Sequence, residues 1–294
     1  IALSIAIVTN HKKKESAKEL LERIKPIIRN SNGFVSVSYE IEEKSSGWFA
    51  RLIDETNPFD INKSNLQVDF TIHMPKKTEL KVTNTFGDVI IQDWSGKLKM
   101  TVEHGDVWLS ENLNKADVTM RYGNLNATDI NYGSLDIKNG GLDMGNSKSL
   151  RLNSSGSDIV LDAITSLELY SNKDEIIVNK SDTSFGSLKF SKLEIGELQN
   201  EIDLSLRIAD LSVLHIINPK VAITIEQESS KISLNVKDFP HKFNATLEQG
   251  LVRMPKSYEN IGSKMLDKGK KLREIEATYL KAAGRISITG KNTE

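Results

Sequence analysis

The sequence predicts an all-β fold: a parallel β-solenoid (β-helix) of about ten short coils with an N-terminal strand–helix–strand cap. Three observations carry that expectation. A phrase recurs as Thr85-Phe86-Gly87-Asp88-Val89-Ile90-Ile91, Glu103-His104-Gly105-Asp106-Val107-Trp108-Leu109 and Arg121-Tyr122-Gly123-Asn124-Leu125. The apolar residue after the Gly-Asp pair returns at Val89, Val107, Leu125, Leu142, Ile159 and Ile176, at spacings of 18, 18, 17, 17 and 17. Inward pairs accompany it, Leu80/Val82, Leu98/Met100, Val118/Met120, Leu135/Ile137, Leu150/Leu152 and Leu167/Leu169 on one strand of each coil, and the marker residue with its second neighbour on the other. Two short strands and two corners fit the period, and parallel stacking satisfies every backbone group except at the ends.

The first elements set up the cap. Large residues at 1, 3, 5 and 7 alternate with small ones at 2, 4 and 6, the period of a half-buried strand. Lys12-Lys13-Lys14 follows this run rather than preceding it, the wrong order for a signal peptide. Residues 16–28 read as a helix: Ser16-Ala17-Lys18-Glu19 has the Ser-x-x-Glu form of a capping box, and Ala17, Leu20, Leu21, Ile24, Ile27 and Ile28 share one face, with Pro26 as its kink or end. Val35 to Ile41 alternates again. A solenoid's first coil exposes its core and unpaired edges, so a cap is expected there. Residues 44–66 read as a long loop, whose Trp48, Phe49 and Phe59 either fold back on the cap or meet a partner. Val68 to Met74 is a strand stopped by Pro75.

After Ile176 the marker is followed through Ile195, Leu211, Ile232 and Leu251, with first-strand pairs Leu188/Phe190, Ile202/Leu204, Val221/Ile223 and Phe243/Ala245. A stack of about ten coils at roughly 4.8 Å each would be on the order of 45–50 Å long. Residues 254–271, polar and rich in Lys, read as a loop, and Ile275 to Ile288 as a closing hairpin. The expected organisation is therefore 1–75 cap and loop, 76–254 repeat body, and 255–294 C-terminal loop and closing strands.

Composition narrows the function classes. The 294 residues carry a formal net charge of −1, which gives no global basic field for nucleic acid. Cysteine is absent, which excludes disulfides and thiolate metal sites. No apolar run reaches the roughly 20 residues that a membrane-spanning helix needs. The histidines His11, His73, His104, His215 and His241 are isolated, without metal-ligand spacing, and neither a phosphate-cradling glycine loop nor a nucleophile motif occurs. No catalytic residue, metal ligand or cofactor is assigned.

Three features compete for a functional role. The corner acids Asp88 and Asp106, with Asn124 next and Asp158 and Asp174 further on, form a row that suits Ca²⁺ or an acid–base pair, but Gly followed by Asp or Asn is also what a tight corner needs, the Gly taking positive φ. Phe86, His104 and Tyr122 would stack as a ladder, which either stabilises the coil or receives sugar rings. The outward position between the two inward residues of the second strand carries Ile90, Trp108, Val160 and Ile177. Such a face is covered either internally, by the cap helix or the 44–66 loop, or by a partner, and Ile90 with Trp108 is the candidate contact.

These residues resemble the bacterial adhesin-like family of β-strand-repeat proteins, related to the head domains of auto-transporter adhesins. The resemblance lies in Met74-Pro75-Lys76 before a strand, Asn84-Thr85-Phe86-Gly87-Asp88-Val89, the aromatic-Gly-Asp/Asn units, Ile195-Gly196-Glu197-Leu198 and the Ala17-to-Leu21 helix between strands. Asn139-Gly140-Gly141 and Lys173-Asp174-Glu175 depart from the pattern. The resemblance implies a β-solenoid, export to the periplasm or cell surface, and a non-enzymatic adhesive or structural role with a surface glycan or another protein as partner. A carbohydrate-active β-helix enzyme of the lyase or hydrolase type and a self-assembling solenoid scaffold are the competing expectations.

Overall fold

The structure, a computed structural model, describes residues 1–9, 14–31, 33–41, 66–280 and 283–292. The chain divides into two compact units, Ile1–Pro75 and Lys76–Glu294.

In the first unit β1 (Ala2–Thr9), helix α1 (Lys14–Arg23), β2 (Ile24–Ser31), β3 (Phe34–Ile41) and β4 (Leu66–His73) follow in order. The expected helix over 16–28 is shorter and starts earlier, because Pro26 and the β-branched Ile27 and Ile28 go into β2 instead. Proline lacks the N–H a helix interior needs, and β-branched neighbours favour the extended chain. β2 and β3 form a hairpin with Pro26 opposite Tyr39, turned by Gly33 at φ +77°. β1 pairs antiparallel with β4 rather than with the strand after the helix, so the unit is two small sheets and a helix. Tyr39 and Phe70, with ring centroids 5.8 Å apart, join the two sheets. Trp48, Phe49, Phe59 and the rest of 42–65 lie outside the described residues.

The second unit is the predicted β-solenoid. Its strands are β5 (Glu79–Asn84), β6 (Val89–Ile91), β7 (Lys97–Glu103), β8 (Val107–Arg121), β9 (Asn124–Lys138), β10 (Gly141–Ser155), β11 (Asp158–Asn172), β12 (Glu175–Lys189), β13 (Lys192–Arg207), β14 (Asp210–Ile216), β15 (Ala222–Glu228), β16 (Lys231–Leu234), β17 (His241–Glu248), β18 (Glu259–Asp267), β19 (Leu272–Tyr279) and β20 (Gly284–Lys291). Through β16 every pairing is parallel and joins one coil to the next. The marker row runs Val89, Val107, Leu125, Leu142, Ile159, Ile176, Leu193, Leu211 and Ile232. That makes about nine coils rather than ten, a stack of roughly 40 Å at the usual strand spacing of about 4.8 Å.

Each coil from β8 to β13 is one strand that bends in its middle and closes at a tight corner. In β8 six residues point inward, Val107, Leu109, Leu113, Ala116, Val118 and Met120, and each is buried. The inward pairs expected from 98 to 178 are all in the core, while Leu80, Val82, Val89 and Ile91 of the first coil are half-buried. The bend adds an inward position not marked in the sequence, Leu113, Ile130, Ser147, Ile164, Ser181 and Leu198.

Beyond Ile176 three expected core residues are corrected. Ile195 is buried but pairs with Val178, and the residue that continues the marker row is Leu193. Phe190 is 45% exposed and forms a corner at φ +54°, because Ser184, Gly186 and Leu188 occupy the inward positions of that strand. Leu251 is exposed and follows β17 outside any coil.

The far end is closed by a shuffled strand order. β20, the last strand of the chain, inserts parallel between β15 and β17. β19 covers the other edge of β17 antiparallel, and β18 lies antiparallel on β19. The expected loop over 254–271 therefore contains β18, and the expected hairpin of 275–288 is replaced by two strands that flank β17 instead of pairing with each other.

Candidate functional site

At the first corner Gly87 takes the expected positive φ, +100°, but at the later corners the left-handed conformation falls one residue earlier. His104, Tyr122, Asn139, Lys173, Phe190 and Ile208 take φ between +51° and +62°, while the glycines that follow His104 and Tyr122 do not. Gly105 is required for another reason: a Cβ there would sit 1.9 Å from the carbonyl oxygen of Gly87 in the coil before. The glycine allows close approach of successive coils rather than a positive φ.

Asp88, Asp106 and Asn124 stack as expected, and one carboxylate oxygen of each aspartate is engaged by the stacking itself. Asp88 Oδ1 accepts the backbone N–H of Asp106 at 3.0 Å, and Asp106 Oδ1 accepts the N–H of Asn124 at 2.7 Å and its Nδ2 at 3.0 Å. The row continues through Gly141, Asp158, Glu175, Lys192, Asp210 and Lys231, and charge alternates along it only from Glu175 onward. Lys192 bonds Glu175 at 2.7 Å and holds that carboxyl below the usual range, chiefly through the hydrogen bond. Among the described residues no group of three or more His, Asp or Glu is arranged to hold a metal ion.

Asp174 does not belong to this row. It occupies the position of Gly105, Gly123 and Gly140, turns inward and is 2% exposed. Its Oδ2 accepts the hydroxyls of Ser154 and Ser171 at 2.7 and 2.6 Å and the N–H of Asn172 at 3.0 Å, and its Oδ1 accepts the N–H of Ser157 at 2.8 Å. Ser191 of the next coil completes the cluster, its Oγ accepting the Asp174 N–H at 3.1 Å and lying 2.8 Å from Ser171 Oγ. A buried charge is tolerated only with such full hydrogen bonding. The cluster spans three coils as a polar pin in the core.

The aromatic ladder forms. Phe86 and His104 stack at 5.3 Å and 12°, His104 and Tyr122 at 4.8 Å and 4°. Rings stacked along the solenoid axis spend their faces on one another and present edges to solvent, so the ladder stabilises the corner rather than offering faces to a sugar.

Ile90 and Trp108 point outward from adjacent coils, paired in register, at 63% and 37% exposure. The row then turns polar at Asn126 and Asp143 and apolar again at Val160 and Ile177, both exposed. Cross-coil ion pairs lie elsewhere on the outer surface, among them Glu79–Lys97 at 2.7 Å, Arg151–Glu168 at 3.5 Å and Lys180–Glu197 at 3.6 Å. A depression of about 290 Å³ at the mid-coil bend is lined by Asp129, Asn131, Asn146, Ser147, Lys148, Ala163 and Thr165. Its one acid, Asp129, already accepts the N–H and Nδ2 of Asn146 at 2.7 and 3.0 Å.

His241, which has no metal-ligand spacing in the sequence, lies in the fold within a cluster of rings. It is fully buried, bonded to Phe239 and Tyr258, with the rings of Phe239, Tyr258 and Tyr279 around it. The sequence signal for it was its parity with Phe243 and Ala245, which marks 241 as an inward position.

No family model, curated protein or solved structure matches this chain. Among the described residues no helix is long and apolar enough to cross a membrane.

Proposed function

We propose that this protein is a non-enzymatic, extracytoplasmic β-solenoid that presents a flat outer face for binding, in the manner of the adhesin-like repeat proteins its corner motifs resemble. The observation that carries the reading is the register pair Ile90–Trp108, two large apolar side chains held side by side and exposed on a face otherwise rich in polar and charged groups. An exposed tryptophan on a rigid sheet loses little entropy on contact and supplies the large apolar area that anchors an interface. The carboxylates of the corner row and of the bend are engaged in coil stacking, so the acid–base pair that a polysaccharide-cleaving β-helix requires has no support at these positions. The partner class is a surface glycan or another protein.

Glycan-array binding and co-purification by the wild type, run beside Trp108→Ala and Ile90→Asp, test the reading. Loss of signal in both variants, with unchanged thermal unfolding, is the expected result. Signal that survives both substitutions sinks this face as the site.

A further inference from the structure

The C-terminal end of the solenoid converges on one imidazole. His241 opens β17 and is 0% exposed. Its Nδ1 lies 2.6 Å from the Phe239 carbonyl oxygen, which only accepts, so Nδ1 carries the hydrogen. Nε2 then bears the lone pair and accepts the Tyr258 hydroxyl at 2.7 Å. Phe239 stacks on the ring at 4.8 Å and 11°, Tyr258 meets it edge-on at 5.4 Å, and Tyr279 tilts against it at 5.8 Å. Tyr258 directly precedes β18, Tyr279 ends β19 opposite His241, and Gly284 begins β20 where a Cβ would lie 2.4 Å from the Phe239 ring. Besides this cluster, the β18–β19 hairpin joins the sheet through the β17–β19 ladder and the buried Ala277, and all nine residues of β18 are exposed.

We propose that the His241–Tyr258 pair is a pH-sensitive latch: with His241 neutral the β18–β19 hairpin stays closed over β17, and protonation of His241 releases the hairpin and uncovers the β17 edge. A proton on Nε2 takes the lone pair that receives the Tyr258 hydroxyl. The bond must reverse, and the tyrosine hydrogen loses its acceptor. The cation formed would be buried. The groups facing it are the Phe239 carbonyl, Tyr258 from the β18 side, Tyr279 from β19 and the backbone of Gly284 from β20. The charged residues next in sequence to His241, Gly284 and Tyr258, namely Lys242, Arg285 and Glu259, are exposed, and among the described residues none forms an ion pair with His241.

Burial accordingly holds His241 below the ordinary histidine range, and the bond to Phe239 only partly offsets it. The sign follows from proton counting. In the open form His241 regains a pKa of about 6.5, while the closed form binds its proton only at lower pH. Acidification below about 6.5 therefore favours opening by up to about tenfold per pH unit, until the closed form's own pKa is reached.

Hydrogen exchange of the wild type at pH 7.5 and 4.5, corrected for intrinsic rates, reads this directly. The expected result is at least about tenfold faster exchange at pH 4.5 for amides of 259–279, with the amides of 107–206 unchanged, and no such acceleration in His241→Phe. Equal acceleration in His241→Phe, no acceleration in the wild type, or coils that open together with the hairpin overturns the latch. If His241→Phe does not fold, ring NMR of the wild type decides: His241 must titrate together with hairpin opening, and titration near pH 6.5 with the hairpin still protected overturns it.

Discussion

Asp106 Oδ1 receives the backbone N–H of Asn124, one coil further along, at 2.7 Å. The same strut recurs from Asp88 to Asp106 at the same corner and from Asp129 to Asn146 at the mid-coil bend. Where the strand ladder is interrupted to turn the chain, a carboxylate takes over the inter-coil hydrogen bond. A residue type that suggests chemistry is thus a structural part, and several measurable consequences follow from which atoms each acid holds.

Replacing Asp106 by Ala removes one such strut near the surface and should lower stability by about 1 kcal/mol, whereas Asp106→Asn, which keeps an acceptor oxygen, should lose less. Urea denaturation midpoints compare the two. Added calcium should leave the wild-type midpoint unmoved, and a calcium-dependent rise that disappears in Asp106→Ala would contradict the strut.

Asp174 should tolerate far less. Truncation to Ala strands the hydroxyls of Ser154 and Ser171 and two backbone N–H groups inside the core, at a cost of about 3–5 kcal/mol. The same denaturation series, with loss of two-state behaviour as an additional sign, tests it. A change below about 1 kcal/mol would show that water reaches the cluster.

The glycines separate by position. Gly105→Ala forces a Cβ to within 1.9 Å of the Gly87 carbonyl oxygen and should part the second coil from the first or prevent folding, while Gly262→Ala meets nothing within 4 Å. The latter should be neutral or stabilising by up to about 1 kcal/mol, through the unfolded chain. Thermal unfolding of the pair is the measurement, and equal effects at both sites would refute the close-approach account.

Alkaline pH should loosen the end of the solenoid. Burial first, and the neighbouring Tyr279 second, push the Tyr258 hydroxyl up to about 12 from 10. The folded form keeps its proton longer than the unfolded chain, so stability is lost as pH rises through 10 toward 12. A Tyr258→Phe variant should show a shallower fall in melting temperature between pH 9 and pH 11. A parallel fall in both proteins would assign the effect to other groups.

Legibility in the sequence followed the repeat. From 98 to 178 each inward pair read from apolar spacing is in the core, because every coil offers the same side chains to the same neighbours. The spacing misleads where the coil puts small residues inside: with Ser184 and Gly186 inward, the first-strand pair reads as Leu188/Phe190, four positions late, and the marker as Ile195, two positions late. At 16–28 a helical face was also a run of β-branched residues, and Pro26 decided for the strand. Ile90 and Trp108 were legible as outward by strand parity, and both are exposed.

By itself the sequence determined the period, the parallel stacking and the outward pair, since these depend on neighbours one or two residues apart and repeat coil after coil. Only the tertiary structure decided that Asp174 turns inward onto serines from three coils, that His104 and Tyr122 rather than the glycines after them take the left-handed conformation, that β20 enters between β15 and β17, and that His241 sits among rings 2, 17 and 38 residues away. Those outcomes rest on contacts between segments that carry no common period, and such contacts exist only once the chain has folded back on itself.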